Sequence, residues 1–279
     1  MNVAFCTPVS RRKSESFRSF ILSNLFIRES YDFRKKSIIR KLFPYKKLSI
    51  LLAQANGSRV LSGPFRGLVL SNNTKWGNLT NKYLGTYELE LHPIIEELKQ
   101  KKVTKVFDIG GAEGYYSIGL LKLLPDSKMF AWEMDEDSRN ILTDNAEKNK
   151  VSHRIEILGK CSQSELLQFI QKQRPDLIVM DAEGAKIELI NPEINAASSQ
   201  TQYIIECHSD EILSALTEMF APTHRVKIIN NRLERADDID PGLHLPNYVK
   251  FLKINLLRMV NEGRPMNTPW LIAYPGLGD

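Results

Sequence analysis

Cysteine is scarce in this chain. Only Cys6, Cys161 and Cys207 occur, far apart and without C-x-x-C spacing, which argues against both a disulfide framework and a structural zinc site. A reducing compartment, the cytoplasm, is the expectation. Long apolar runs are missing too: the stretch Phe20 to Ile27 is interrupted by Ser23 and Asn24, far short of the roughly 20 residues a spanning helix needs. Neither a transmembrane helix nor a signal peptide is expected. There are no internal repeats and no low-complexity tract. No aromatic-basic RNA signature or known DNA-reading motif is found, so nucleic acid is not an expected partner.

What is present is an ordinary globular composition, with 42% hydrophobic and 25% charged residues in 279. The charge is unevenly placed. Residues 1–50 carry 12 Lys/Arg against three acids, a net +9, while the rest carries 26 against 30, a net −4. Phe17, Phe20, Ile21 and Leu25, then Ile38, Ile39, Leu42 and Phe43, recur at helical spacing among the cations, and Pro44 is a natural stop. Basic amphipathic helices are predicted. A solvated helical cap over the larger domain, or an arm that binds a partner chain, is the leading interpretation; peripheral contact with anionic lipid through residues 11–50, contact with nucleic acid, and an acid-poor transit peptide are the alternatives. The expected organisation is a basic helical extension over 1–55 and one larger domain over 56–279.

From about residue 100 the chain alternates short apolar runs with helix-like segments, the pattern of an α/β fold with a mostly parallel sheet covered on both faces. Strands are predicted at Val103–Asp108, Met129–Glu133, Ile155–Leu158, Leu177–Asp181, Tyr203–Cys207 and Arg225–Asn230, with Trp270–Tyr274 as a seventh. Helices are predicted from Gly114 to Leu124, Glu136 to Asn149, Ser164 to Gln173 and Asp210 to Phe220. Upstream, Val60–Leu70 with its Gly63-Pro64 turn suggests an extra strand or hairpin, and Glu88–Lys101 a helix. A helix-like stretch from Tyr248 to Val260 lies in a long excursion before the last strand.

The most informative segment runs from Val106 to Tyr116: a strand ending in Asp108, then Gly110-Gly111-Ala112-Glu113-Gly114 leading into a helix. Gly110 and Gly114 let backbone pass close to a ligand, and a helix N-terminus offers oriented N–H groups. Asp108 discriminates between ligands. A carboxylate at this strand end repels a pyrophosphate and suits the cationic amino group of a methionine moiety. The spacing is also not the G-x-G-x-x-G of a pyrophosphate turn. Glu133 stands 23 residues after Gly110, at the end of the next strand, where an acid can accept both ribose hydroxyls.

The stretch from Val106 to about His208 resembles the FkbM-like group of class I, Rossmann-like methyltransferases. The likeness rests on Phe107-Asp108-Ile109-Gly110, Gly114-Tyr115-Tyr116-Ser117, Glu133, Asn145, Asn149 and Asp181-Ala182-Glu183-Gly184-Ala185. Many members carry Ala-Asn where this chain has Gly111-Ala112. The resemblance implies a seven-stranded sheet with an antiparallel last strand, S-adenosyl-L-methionine as cofactor, and O-methylation of small molecules, sugars or natural products. Candidate cofactor-binding residues are Asp108, Gly110, Gly111, Ala112, Gly114 and Tyr115, with Glu133 and Met134 at the second strand end. Cys161, following the third strand, is expected to line the adenine site, and Asp181 to border the methionine end. Leu84-Gly85-Thr86-Tyr87-Glu88 resembles a segment placed over the cofactor, so Tyr87 joins the set, while a plain turn and helix start there remains the alternative.

Ligands of open α/β sheets sit at the carboxyl ends of the strands. That rim holds Asp108, Glu133, Cys161, Asp181, Glu183, Glu206 and His208. Asp181 and His208 are the candidate catalytic bases for an acceptor hydroxyl. Local capping roles compete for both residues, and coordination of a Mg²⁺-like ion by Asp181, Glu206 and His208 is a further, less favoured alternative. No metal is assigned. A small-molecule or glycan acceptor is expected, with a non-catalytic adaptor working through the basic segment as the rival function.

Overall fold

Alternation along the central strands fixes the layers of the molecule. In the computed structural model, which describes residues 45–76, 79–182, 186–233, 235–243, 260 and 268–276, Val106, Leu177, Val179 and Ile204 face one core. Phe107, Ile109, Ile178, Met180, Tyr203 and Ile205 face a second core on the opposite side. Successive side chains of a strand point to opposite faces, so a strand buried on both needs an unbroken apolar run. Leu177-Ile178-Val179-Met180 supplies one and is buried at every position.

Among the described residues the strands are β1 Lys105–Ile109, β2 Lys128–Trp132, β3 Ile155–Leu158, β4 Leu177–Met180, β5 Gln202–Glu206, β6 His224–Ile229 and β7 Trp270–Pro275. They form one sheet in the order β3-β2-β1-β4-β5-β7-β6. The first five are parallel to one another, and β7 runs antiparallel between β5 and β6. The predicted class and all seven predicted strands are present, with ends shifted by one or two residues. The sheet reverses its order of travel between β1 and β4, the place where open α/β sheets open a crevice.

Helices α1 Tyr45–Asn56, α2 Leu79–Leu84, α3 His92–Glu97, α4 Tyr115–Leu123, α5 Glu136–Lys148, α6 Gln163–Gln173, α7 Lys186–Leu189, α8 Pro192–Ala197 and α9 Asp210–Phe220 complete the described elements. Side-chain caps start several of them: Asp135, Ser162, Asn191 and Ser209 each accept a backbone N–H from the residue three positions on. α1, α2, α7 and α8 are not foreseen by periodicity; α2, α7 and α8 are too short to show a 3.6-residue pattern.

Two expectations are corrected. Val60–Leu70, expected as a strand or hairpin, forms no extended strand: its two arms meet hairpin-fashion at a single antiparallel bridge, Arg59 to Val69, with hydrogen bonds from Val60 N–H to Leu68 C=O and from Gly67 N–H to Val60 C=O. Glu88–Lys101 is not one helix. Glu88 takes a left-handed backbone, and α3, with a proline in its first turn, is flanked by two short 3₁₀ turns, because Pro93 cannot donate the bond that would carry a helix through from Glu88. The basic amphipathic helices of residues 1–44, the Glu183-Gly184-Ala185 segment and the helix from Tyr248 up to Val260 lie outside the described residues. By its contacts the chain separates into Met1–Pro44 and Tyr45–Asp279.

Candidate active site

The turn between β1 and α4 is built from inside. Gly110 has φ +89° and Gly114 φ +88°, the left-handed region open to glycine at no cost. A Cβ on Gly110 would stand 2.3 Å from the Asp181 carbonyl oxygen, and one on Gly114 would stand 2.1 Å from Leu142 Cδ1. Their lack of a side chain therefore permits close contact with the β4 end and with α5. The backbone donors are committed as well. Gly110 and Gly111 N–H both donate to Trp132 C=O, Gly114 N–H to Gly111 C=O, and Ala112 N–H to Glu133 Oε2 at 2.9 Å. A diphosphate needs free N–H groups at such a turn, and these four are taken.

Asp108 points from β1 beneath this turn. It is buried, and Ser117 in the first turns of α4 donates its hydroxyl to Oδ2. Burial pushes its carboxyl up to about 7; the Ser117 hydroxyl opposes that shift, and the negative charges of Asp181 and Glu133 add to it. A buried carboxylate poised near neutrality among other carboxylates is short of positive charge. An ammonium group supplies what it lacks.

Glu133, also buried, accepts from Ala112 N–H and, at 2.8 Å, from Asp135 N–H. Each of its oxygens keeps a lone pair for a ribose hydroxyl. Next to it Met134 is 73% exposed, a large apolar side chain on the rim. Cys161 is buried in the core under β1 and β2, and burial raises its thiol to about 12. A thiol held protonated in this way is unreactive.

The wall opposite the sheet is aromatic. Tyr115 packs edge-on to Phe65 and Tyr87, with centroids 5.2 and 5.1 Å away. Tyr116 donates its phenol hydroxyl to Glu88, which is buried rather than standing free at a helix start. Lys82, buried in α2, places Nζ 5.0 Å from the Tyr87 ring centroid and 3.9 Å from Glu113 Oε2. Sequence reasoning missed Lys82, because α2 is too short to show a pattern. It also left Asn145 and Asn149 without a role. Asn149 accepts from Val69 N–H and donates to Val69 C=O; Asn145 accepts from Ser71 N–H and donates to Glu113 C=O. These two side chains of α5 hold the 58–76 segment against the cofactor turn.

The last cluster comes from sheet register. Met180 on β4 pairs with Ile205 on β5, so Asp181 and Glu206, the next residues along parallel neighbours, fall side by side on the same face. His208 follows two residues later, on that face again. Its Nε2 lies 3.6 Å from Asp181 Oδ1 and 3.5 Å from Glu206 Oε2. That nitrogen is buried and has no hydrogen-bond partner. Asp181 and His208 are thus brought together, at the strand ends beside Asp108. His208 caps no helix, since Ser209 does that for α9. Of the notable rim residues, Glu183 falls outside the described set.

A seven-stranded sheet with its last strand reversed, a turn whose N–H groups are committed internally, a buried acid at the end of the first strand and a second at the end of the next are the features of a class I S-adenosylmethionine-dependent methyltransferase. The chain belongs to the ribosomal protein L11 methyltransferase (PrmA) family, whose profile matches residues 86–227, just over half its length. No match is found among the curated proteins. Solved structures similar to it include the precorrin-6y C5,15-methyltransferase of Geobacter metallireducens, at 15% identity over 66% of this chain and 87% of that one, TM-score 0.45. The human methyltransferase 10 domain containing protein is 16% identical over 84% and 96%, TM-score 0.49. An O-methyltransferase from Bacillus cereus, solved with S-adenosylhomocysteine, is 12% identical over 83% and 91%, TM-score 0.46.

Proposed function

We propose that this enzyme transfers the methyl group of S-adenosylmethionine to a hydroxyl of a small molecule or sugar. The observation that carries the proposal is the convergence of Asp181, Glu206 and His208 next to Asp108. When bound, the cofactor supplies an electrophilic methyl on a sulfonium. In this proposal Asp108 holds its amino group, Glu133 its ribose, Met134 and Cys161 flank its adenine, and the Gly110–Tyr115 turn and Tyr87 enclose its methionine end. An aliphatic hydroxyl is a poor nucleophile until its proton is drawn away, so positioning plus a proton acceptor is what the protein must add. Asp181 and His208 stand where that acceptor hydroxyl would be. The match of Asp108, Ser117, Asn145, Asn149 and Asp181 to the FkbM-like pattern supports the same chemistry. The basic segment, expected over 1–55, is proposed to meet a partner or a membrane surface through its residues before Tyr45, where the larger unit begins.

The test is to incubate purified full-length protein with isotopically labelled S-adenosylmethionine and arrays of glycosides, natural products and ribosomal protein L11, and to locate the transferred methyl by mass spectrometry. Methyl on oxygen, with kcat lowered about 100-fold or more in His208→Ala and Asp181→Asn, is expected. Methyl on a nitrogen of ribosomal protein L11 would replace this reading. Cofactor binding without turnover on any acceptor would favour an adaptor that works through its basic segment.

A further inference from the structure

We infer that Asp181, Glu206 and His208 form a binding site for a divalent cation of the Mn²⁺ class, which holds an acceptor carrying two adjacent oxygens. This deepens the O-methylation reading and rests on it for the acceptor, though not for the ion. The donor atoms of the three side chains all lie within 4.8 Å of one another. Donors about 2.1 Å from a common ion stand roughly 3.0–3.5 Å apart in octahedral or tetrahedral arrangements. His208 Nε2 is 3.6 and 3.5 Å from the two carboxylate oxygens. These separations are close to ligand spacing and too long for good hydrogen bonds.

Two further observations point the same way. Nε2 is buried without a hydrogen-bond partner although two carboxylates face it, and a buried imidazole nitrogen in that position calls for a partner that attracts all three groups at once. Glu206 is only 5% exposed, while the Asp181 and His208 side chains are about a third exposed, 32% and 29%, so the cluster is closed on the protein side and open towards the crevice. Two oxygens and one imidazole suit Mn²⁺ better than Ca²⁺ or Mg²⁺, which favour all-oxygen sets. Three protein donors leave positions for two substrate oxygens and a water.

The chemical step balances without an oxidant. An acceptor hydroxyl bound to the ion becomes acidic enough to release its proton to water at the open side of the cluster. Its oxygen then forms the new C–O bond as the S–CH₃ bond breaks, and the electron pair of that bond returns to sulfur, giving S-adenosylhomocysteine. His208 Nε2 gives its lone pair to the ion, so with the ion bound water, and not His208 or Asp181, takes the proton, and Asp181 and Glu206 offset the positive charge.

The experiment uses chelator-treated full-length protein and Mn²⁺ alone, followed by electron paramagnetic resonance. One bound ion per chain is expected, with affinity lowered at least about tenfold in His208→Ala, Asp181→Asn and Glu206→Gln, while each variant keeps the parent's circular-dichroism spectrum and cooperative unfolding as evidence of folding. Co²⁺ in place of Mn²⁺ should show hyperfine or paramagnetic NMR shifts from one histidine ring, absent in His208→Ala. No saturable binding, or binding that survives in all three variants, overturns the site; a protonated His208 bridging two carboxylates would give that result. The O-methyl reading fails separately: methyl found on nitrogen leaves a bound ion in place, and O-methylation that withstands chelation stands without the ion.

Discussion

The two halves of the strand-end rim are assembled by different means. On the β1–β2 side the site is one continuous segment: Asp108, the glycine turn and Ser117 lie within ten residues, and Glu133 closes the turn through Ala112. On the β4–β5 side the site is a product of register, with Asp181 from one strand and Glu206 and His208 from its neighbour. The first half is held by backbone geometry and is fixed before any ligand arrives. The second is held by sheet pairing, which sets Asp181 beside Glu206.

This contrast is sharpest at Gly110, where the two halves touch. A methyl group there meets the Asp181 carbonyl at 2.3 Å on a left-handed backbone, so Gly110→Ala should destabilise the fold by about 3 kcal/mol or more, seen as a lowered denaturation midpoint. It should also disturb the Asp181 cluster, a loss that a merely local turn would not transmit. Next in size, Asn149→Ala strips both Val69 backbone groups of their partner and should cost about 2 kcal/mol. If equilibrium unfolding of this variant matches the parent, the 58–76 segment is not held by α5. Smallest is Ala112, whose φ of +44° is unfavourable for alanine by roughly 1–2 kcal/mol. Ala112→Asn or Ala112→Gly should raise stability by about 1 kcal/mol and the melting temperature by roughly 2–4 °C.

Much of this was legible in the sequence for the contiguous half and little for the other. Strands such as Leu177–Met180 announce themselves as apolar runs, and Asp108 and Glu133 are recognisable because each ends a strand at a set distance from the glycines. The Glu206-x-His208 spacing does put both side chains on one face, but only the pairing of Met180 with Ile205 says that Asp181 joins them. Spacing alone also leaves unread what the glycines pack against: a Cβ at Gly110 would meet the Asp181 carbonyl, and one at Gly114 would meet Leu142. Glu88 shows the same limit. An acid before a helical stretch reads as a first-turn residue, whereas here it is buried and bonded to Tyr116, 28 positions away.

Asp108 links the cofactor half to pH in a way that separates stability from binding. Its carboxyl stands near 7 in the folded chain against 3.8 for an ordinary aspartate, so the protonated form is favoured on folding. The stability it contributes is present at low pH and is lost as pH rises through about 7; Asp108→Asn should flatten that slope and abolish tight cofactor binding. The deciding measurement is calorimetric titration of S-adenosylhomocysteine into the chain between pH 5.5 and 7.5. The affinity should rise up to about tenfold per pH unit towards 7 and then level, with release of a proton on binding at the lower values, and it should be weak at every pH in Asp108→Asn. An affinity independent of pH, or Asp108→Asn binding as tightly as the parent, would contradict a buried carboxylate meeting the cofactor's ammonium group.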